Sequence, residues 1–136
     1  METEVKIKSL TLEELSDILC TAFYDNPCMS VDRGEGCKPS IDHHCFEDNL
    51  AQILLDGGHI EVTDCNAAKD EHYGKLEYIV SPDEFIYYKV TLKDILEGAS
   101  NPECLKMIQD ILSGEGDMYT AYNLIQTIVF GEIIYG

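Results

Sequence analysis

The chain has 136 residues, with 9 Lys and Arg against 26 Asp and Glu, so its formal net charge is −17. That charge excludes unaided binding to nucleic acid or to an anionic membrane, because like charges repel across such a contact. With 45% hydrophobic residues the composition is that of a folding chain, and its length predicts one acidic domain over residues 1–136.

The amino terminus is not of the signal-peptide type. The first eight residues contain no apolar run, and no stretch of the chain approaches the roughly 18 consecutive apolar residues of a membrane span. We therefore expect a cytoplasmic protein whose six cysteines are reduced thiols. A disulfide between Cys28 and Cys37, which share a loop-like stretch, is the alternative.

The first predicted helix begins after Thr11. Thr11 and Glu14 have the spacing of a capping box, in which each side chain bonds to the backbone N–H of the other residue. Apolar residues then follow helical spacing along one face: Leu12, Leu15, Ile18, Leu19, Ala22 and Phe23. Pro27 ends this helix, and the Pro- and Gly-containing stretch 25–41 is predicted to be a long loop.

A second helix is predicted after Asp42, whose side chain can cap the helix N-terminus. The helix is predicted to end at Asp56-Gly57-Gly58, since glycine is common just beyond a helix end. The residues that follow helical spacing in between are Cys45, Phe46, Asn49, Leu50, Ile53 and Leu54.

Three strands are predicted over 59–64, 75–80 and 85–92, where apolar and polar residues alternate. The connections between these segments favour an antiparallel meander. Its buried face is predicted to carry Ile60, Val62, Tyr88 and Val90.

Three more helices are predicted beyond the strands: a short one to Gly98, one from Asn101-Pro102 to Gly114, and one over 118–130. The last helix has no charged residue between Asp117 and Glu132, which predicts either central core or a contact surface for another subunit. The predicted fold class is therefore α+β, with a three-stranded antiparallel sheet packed against four to five helices.

Carboxylates on the first two helices are the candidate binding residues. Glu13 and Asp17 are one helical turn apart, a rise of about 6 Å, while two phosphate steps along a DNA strand advance about 6.8 Å. Carboxylates at this spacing can occupy phosphate positions in a nucleic-acid-binding protein. The candidate partner-binding residues are Glu13, Glu14, Asp17, Glu47 and Asp48. The alternative is that the acidity serves solubility alone.

The segment 28–45 is rich in cysteine and histidine. Its five soft or borderline ligands are Cys28, Cys37, His43, His44 and Cys45. They lack the paired cysteines of a zinc knuckle, so we assign no metal and no cofactor. A small metal-binding or regulatory module using this segment is the alternative function.

Catalytic motifs are missing from the sequence. It contains no phosphate-binding glycine motif, no zinc-protease motif and no nucleophile elbow, so a non-enzymatic protein is expected. Nucleophilic catalysis would pair a cysteine such as Cys45 or Cys65 with His59 and a carboxylate. Cys20 and Cys104 stand beside apolar helical residues and are predicted to lie in the core.

The C-terminal segment 116–136, GDMYTAYNLIQTIVFGEIIYG, resembles the ending of small proteins carried by phages and conjugative elements of gut anaerobes. In size and charge the whole chain is similar to anti-CRISPR and anti-restriction proteins. This resemblance implies an inhibitor whose partner is a basic nucleic-acid-binding protein, such as a CRISPR or restriction nuclease, and carries over no functional residue.

Overall fold

The computed structural model describes residues 9–24, 26, 29–64 and 76–131. These residues form five helices and four strands, which confirms the predicted α+β class and corrects the predicted number of strands from three to four. In chain order the elements are α1 (Leu12–Phe23), β1 (Met29–Arg33), α2 (Phe46–Leu55), β2 (His59–Asp64), β3 (Tyr78–Val80), β4 (Ile86–Thr91), α3 (Leu92–Gly98), α4 (Pro102–Leu112) and α5 (Met118–Phe130).

The helix starts follow local capping chemistry. The predicted capping box of α1 is confirmed, because Thr11 Oγ1 accepts the Glu14 N–H at 3.1 Å and Glu14 Oε1 accepts the Thr11 N–H at 2.9 Å. Asn101 caps α4 through the N–H of Glu103 at 2.9 Å, with proline at the first helical position as expected. Both helices therefore begin where the side chains can satisfy free backbone N–H groups.

The predicted cap of the second helix was wrong. The helix begins at Phe46 after Cys45, rather than at Asp42, and Cys45 makes no capping side-chain bond. The side chain of Asn49 accepts the His43 N–H at 2.8 Å and donates to the His43 carbonyl at 3.1 Å. This reciprocal pair holds the chain at His43 outside the helix, which delays the helix start.

Strand β1 lies within the stretch 25–41 that was predicted to be a loop, so that prediction was wrong. It pairs antiparallel with β2, placing Val31 opposite Val62 and Met29 opposite Asp64. Met29 is buried and Val31 is partly buried against the core. Two apolar residues flanked by Pro and Gly are too weak a pattern to predict a strand, and the hydrogen bonds that stabilise it come from β2.

The predicted meander was also wrong, because the strand order is β1-β2-β4-β3 with every neighbouring pair antiparallel. The second and fourth strands pair directly, and β3 lies at the edge beyond β4. The two central strands are therefore β2 and β4, and both carry buried apolar residues, among them Val62 and Tyr88. The connection 65–75 lies outside the described residues.

The core lies between one face of the sheet and the helices. The predicted inner face is confirmed, since Ile60, Val62, Tyr88 and Val90 are all buried. Helix α1 packs against α2, α4 and α5, while α3 packs against β4 and α5. None of the helices in the described ranges combines the length and hydrophobicity needed to span a membrane.

Helix α5 belongs mainly to this core. Its buried residues are Ala121, Leu124, Ile125, Gln126, Ile128, Val129 and Phe130. The ring of Phe130 meets that of Tyr88 edge to face at a centroid distance of 5.5 Å, which ties the helix to the sheet. Tyr119 at the other end of α5 is 69% exposed. The uncharged helix is therefore core over most of its length and exposed at its N-terminus.

Candidate functional site

Helices α1 and α2 pack side by side, and each carries acidic residues in its first turn. The contact includes a polar bond, because the hydroxyl of Ser16 in α1 donates to Oδ1 of Asp48 in α2. Asp48 and Glu47 are half-buried in the first turn of α2. There the helix dipole stabilises negative charge. The packing of two helices thus places these carboxylates beside α1.

The thiol of Cys20 on α1 is affected by carboxylates of both helices. Its pKa is raised above the usual value, first by partial burial and then by the negative charges of Glu47 and Asp17, with smaller effects from Cys45 and Asp48. Coulombic effects weaken with distance, so Asp17 of α1 and both acids of α2 lie near the same thiol.

Cys20 itself is exposed, which corrects the prediction that it lies in the core. It follows Leu19 by about 100° around the helix and falls at the edge of the apolar face. Cys104 is buried as predicted, and burial is also the main reason that its pKa is raised. Whether a helical cysteine is buried therefore depends on its position around the helix and not on whether its neighbours in the sequence are apolar.

The remaining two candidate acids are placed differently. Glu13 is exposed on α1, as is Asp17. Glu14 is half-buried and its carboxylate is engaged in the capping box with Thr11. Glu14 therefore has a structural function at the helix start, and we define the acidic surface of α1 and α2 by Glu13, Asp17, Glu47 and Asp48.

Basic side chains are missing from both helices that form the acidic surface. The sequences of α1 and α2 contain five carboxylates and no Lys or Arg. Within the described ranges, an ion pair joins Lys93 to Glu97, and the ring of His59 lies 3.7 Å from the carboxylate of Glu61. In the described part of the chain, the acidic surface is therefore not neutralised by an ion pair.

Aromatic side chains that the sequence analysis did not single out as binding residues border this surface. Tyr24 is 74% exposed just after α1, and Phe46 is 48% exposed at the start of α2. A cavity of about 420 Å³ lies between them and is lined by Phe23, Met29 and Glu47 as well. The helical spacing predicts that Phe46 lies on the apolar face of the second helix. It is exposed because it is the first residue of the helix and lies at the edge of the packed face.

The cysteines and histidines of segment 28–45 are dispersed in the structure. Cys37 lies against His59, whereas the ring of His43 lies 3.1 Å from the side-chain oxygen of Gln52. Cys45 is exposed at the start of α2. Cys28 lies outside the described residues, and within the described ranges no group of three metal-ligating side chains converges.

No protein-family model matches the chain, and no similar protein was found among curated sequences or solved structures. Function must therefore be inferred from the chemistry of the surfaces themselves. The most distinctive of these is the acidic surface of α1 and α2, where charge from two separate parts of the sequence is concentrated.

Proposed function

We propose that this protein is a non-enzymatic inhibitor that binds a basic nucleic-acid-handling protein through the acidic surface of α1 and α2. The partner we propose is a host-defence nuclease of the CRISPR or restriction type. Carboxylates on this surface take the positions of nucleic-acid phosphates in the partner's binding channel, and the complex forms in the cytoplasm.

The observation that carries this proposal is the convergence of acids from two helices. The Ser16 hydroxyl of α1, next to Asp17 in the chain, donates to Asp48 of α2, which follows Glu47. The negative charges of Asp17, Glu47 and Asp48 all raise the pKa of the Cys20 thiol on α1 as well. A protein that needed charge only for solubility would gain nothing from concentrating it, since like charges at close range repel one another. A basic channel relieves that repulsion on binding.

The bordering aromatic residues suit the same kind of partner. Arg side chains that bind phosphate also stack on aromatic faces, and a contact of this kind contributes about 0.5–2 kcal/mol. Tyr24 and Phe46 stand beside Glu47 around one cavity. An Arg of the partner can therefore meet a carboxylate and an aromatic ring together.

The test is inhibition of purified CRISPR and restriction nucleases, measured as cleavage of a labelled DNA duplex with increasing amounts of this protein. Against a nuclease that it inhibits, the triple variant Glu13→Lys, Asp17→Lys and Glu47→Lys should bind at least about tenfold more weakly, since about 1.4 kcal/mol corresponds to a factor of ten. Asp48 is left in place because it bonds to Ser16.

The matched control reverses three exposed acids elsewhere, through Asp83→Lys, Glu97→Lys and Glu115→Lys. It changes the net charge by the same amount, so it should keep near-normal inhibition if position matters. Equal weakening by both variants would indicate unspecific attraction and contradict the assigned surface. Phosphate mimicry would be contradicted if the binding affinity did not fall with increasing salt concentration, or if the protein and DNA could bind in the same channel together. Failure to inhibit any nuclease in the panel would count against the proposed partner class.

A further inference from the structure

On the face of the sheet opposite the core, a histidine ring lies between a cysteine and a glutamate and is close to both. Sγ of Cys37 is 3.6 Å from Nδ1 of His59. Nε2 of the same ring is 3.7 Å from Oε2 of Glu61. The cysteines predicted from the sequence to pair with His59 were Cys45 and Cys65. Cys45 is exposed just before α2, and Cys65 lies outside the described residues.

The loop after β1 is built around this histidine. The Gly34 N–H donates to the His59 carbonyl at 2.9 Å, and the Cys37 N–H donates to the Gly34 carbonyl at 3.0 Å. A Cβ at residue 34 would lie 2.4 Å from ring atoms of His59, so only glycine lets the loop approach so closely. The backbone thereby holds the thiol and the imidazole next to each other.

Glu61 is held in place from the same loop. Its Oε2 accepts the Glu35 N–H at 2.7 Å, and its side chain is 12% exposed. A carboxylate near Nε2 favours the tautomer with the proton on that nitrogen, which leaves Nδ1 free to accept a proton from the thiol. Nε2 is buried and has no hydrogen-bond partner within the described ranges, and the carboxylate that the structure places next to it is that of Glu61, 3.7 Å away.

We propose that Cys37 is a reactive thiol that hydroperoxides oxidise to a sulfenic acid, with His59 accepting its proton and Glu61 positioning the imidazole. The thiol proton passes to Nδ1 of His59, and the thiolate attacks one oxygen of the peroxide. An S–O bond forms and the O–O bond breaks. The departing oxygen takes the proton from the imidazole and leaves as water or an alcohol. The sulfur loses two electrons, and the peroxide gains them.

The surroundings of the thiol favour a small reactant. Cys37 is half-buried, and it lines neither the cavity that borders His59 nor the cavity that borders Pro39 of its own loop. The cavity on the His59 side, about 420 Å³, also contains Glu77, Lys89 and Asp94. A hydroperoxide needs only contact with the sulfur, whereas a larger substrate would need a pocket beside it.

The experiment treats the full chain with hydrogen peroxide and traps sulfenic acid with dimedone, with the rate at each cysteine measured by peptide mass spectrometry. Cys20 and Cys45 are exposed and serve as internal references. Cys37 should react about tenfold faster than either, because the adjacent Nδ1 of His59 can accept the thiol proton during the attack. A rate at Cys37 equal to or below that at Cys45 would overturn the proposal.

Substitutions at His59 and Glu61 test the functions proposed for these two residues. His59→Gln should lower the rate at Cys37 by about tenfold, and Glu61→Gln by about threefold, with the rates at Cys20 and Cys45 unchanged. His43→Gln, a change at another half-buried histidine, is the control and should leave Cys37 unaffected. If His59→Gln unfolds the protein, two measurements still test the proposal: the effect of Glu61→Gln on the rate at Cys37, and the rate at Cys37 relative to Cys20 and Cys45 in the wild-type protein.

Iodoacetamide separates nucleophilicity from peroxide chemistry. Fast alkylation of Cys37 combined with slow oxidation would overturn hydroperoxide as the reactant. Fast reaction with both probes, lost together in His59→Gln, is the expected result. This proposal does not depend on the inhibitor function, because it concerns the loop after β1 rather than the acidic surface of α1 and α2.

Discussion

At the scale of single residues, Asp56 shows how one carboxylate organises a loop. The pKa of Asp56 is lowered, first by the backbone N–H of Ser40 and then by the side chains of Gln52 and Ser40. The Ser40 N–H lies 2.8 Å from Oδ2, while its hydroxyl and the Gln52 amide each lie 2.9 Å from Oδ1. The ionised form of Asp56 therefore ties the segment before α2 to the end of that helix.

This arrangement predicts a specific pH dependence. A carboxyl group with a lowered pKa in the folded state adds stability above its unfolded pKa, and that stability is lost as the pH falls through the folded pKa. Asp56→Asn should therefore destabilise the protein at pH 6 but have a smaller effect near pH 3, as measured by urea unfolding at both values. Ser40→Ala keeps the backbone N–H that Asp56 accepts, so its free energy of unfolding at pH 6 should lie between those of the wild type and Asp56→Asn. An equal effect of Asp56→Asn at both pH values would contradict this assignment.

At the scale of elements, helices α1 and α3 begin with the same capping chemistry. Thr91 and Asp94 form a capping box at α3, as Thr11 and Glu14 do at α1. The Thr91 N–H lies 2.9 Å from the Asp94 carboxylate, and its hydroxyl accepts the Asp94 N–H at 3.2 Å. These interactions span three residues, so they were readable from sequence alone.

The contact of α3 with α5 depends on a glycine. A Cβ at Gly98 would lie 2.7 Å from Cγ1 of Ile128, which is closer than packed atoms tolerate. We predict that Gly98→Ala destabilises the protein by about 1–3 kcal/mol through overpacking, as measured by urea unfolding.

A double-mutant cycle isolates that contact. Ile128→Ala removes Cγ1, so adding Gly98→Ala in this background should be neutral or stabilising by up to about 1 kcal/mol, because alanine is the better helix former. The same loss of stability in both backgrounds would mean that crowding against Ile128 is not the cause.

At the scale of the whole molecule, the core is built from packed apolar side chains. It is assembled from aliphatic and aromatic side chains of the helices and the inner sheet face, together with the buried thiol of Cys104. We predict that EDTA with a reducing agent leaves the free energy of unfolding within about 0.5 kcal/mol, measured on the full chain by urea denaturation. A structural zinc site contributes about 10–16 kcal/mol at neutral pH, so loss of cooperative unfolding in the chelator would reveal one and support the metal-binding alternative.

Interactions across a few residues were determined by the sequence. The caps at Thr11 and Asn101 and the periods of α1, β2 and β4 depend on neighbours within one or two turns or along one strand. Such patterns specify where an element forms and which face it buries. The total charge was equally readable from the sequence.

Only the tertiary structure decided which distant residues meet. β1 is stabilised by its pairing with β2, and the order β1-β2-β4-β3 includes the pairing of β2 with β4, which are not consecutive in the chain. The contact of Cys37 with His59 spans 22 positions, and that of Ser16 with Asp48 spans 32. Neither leaves a local pattern, because the energy of each contact is realised only after the helices and strands have packed.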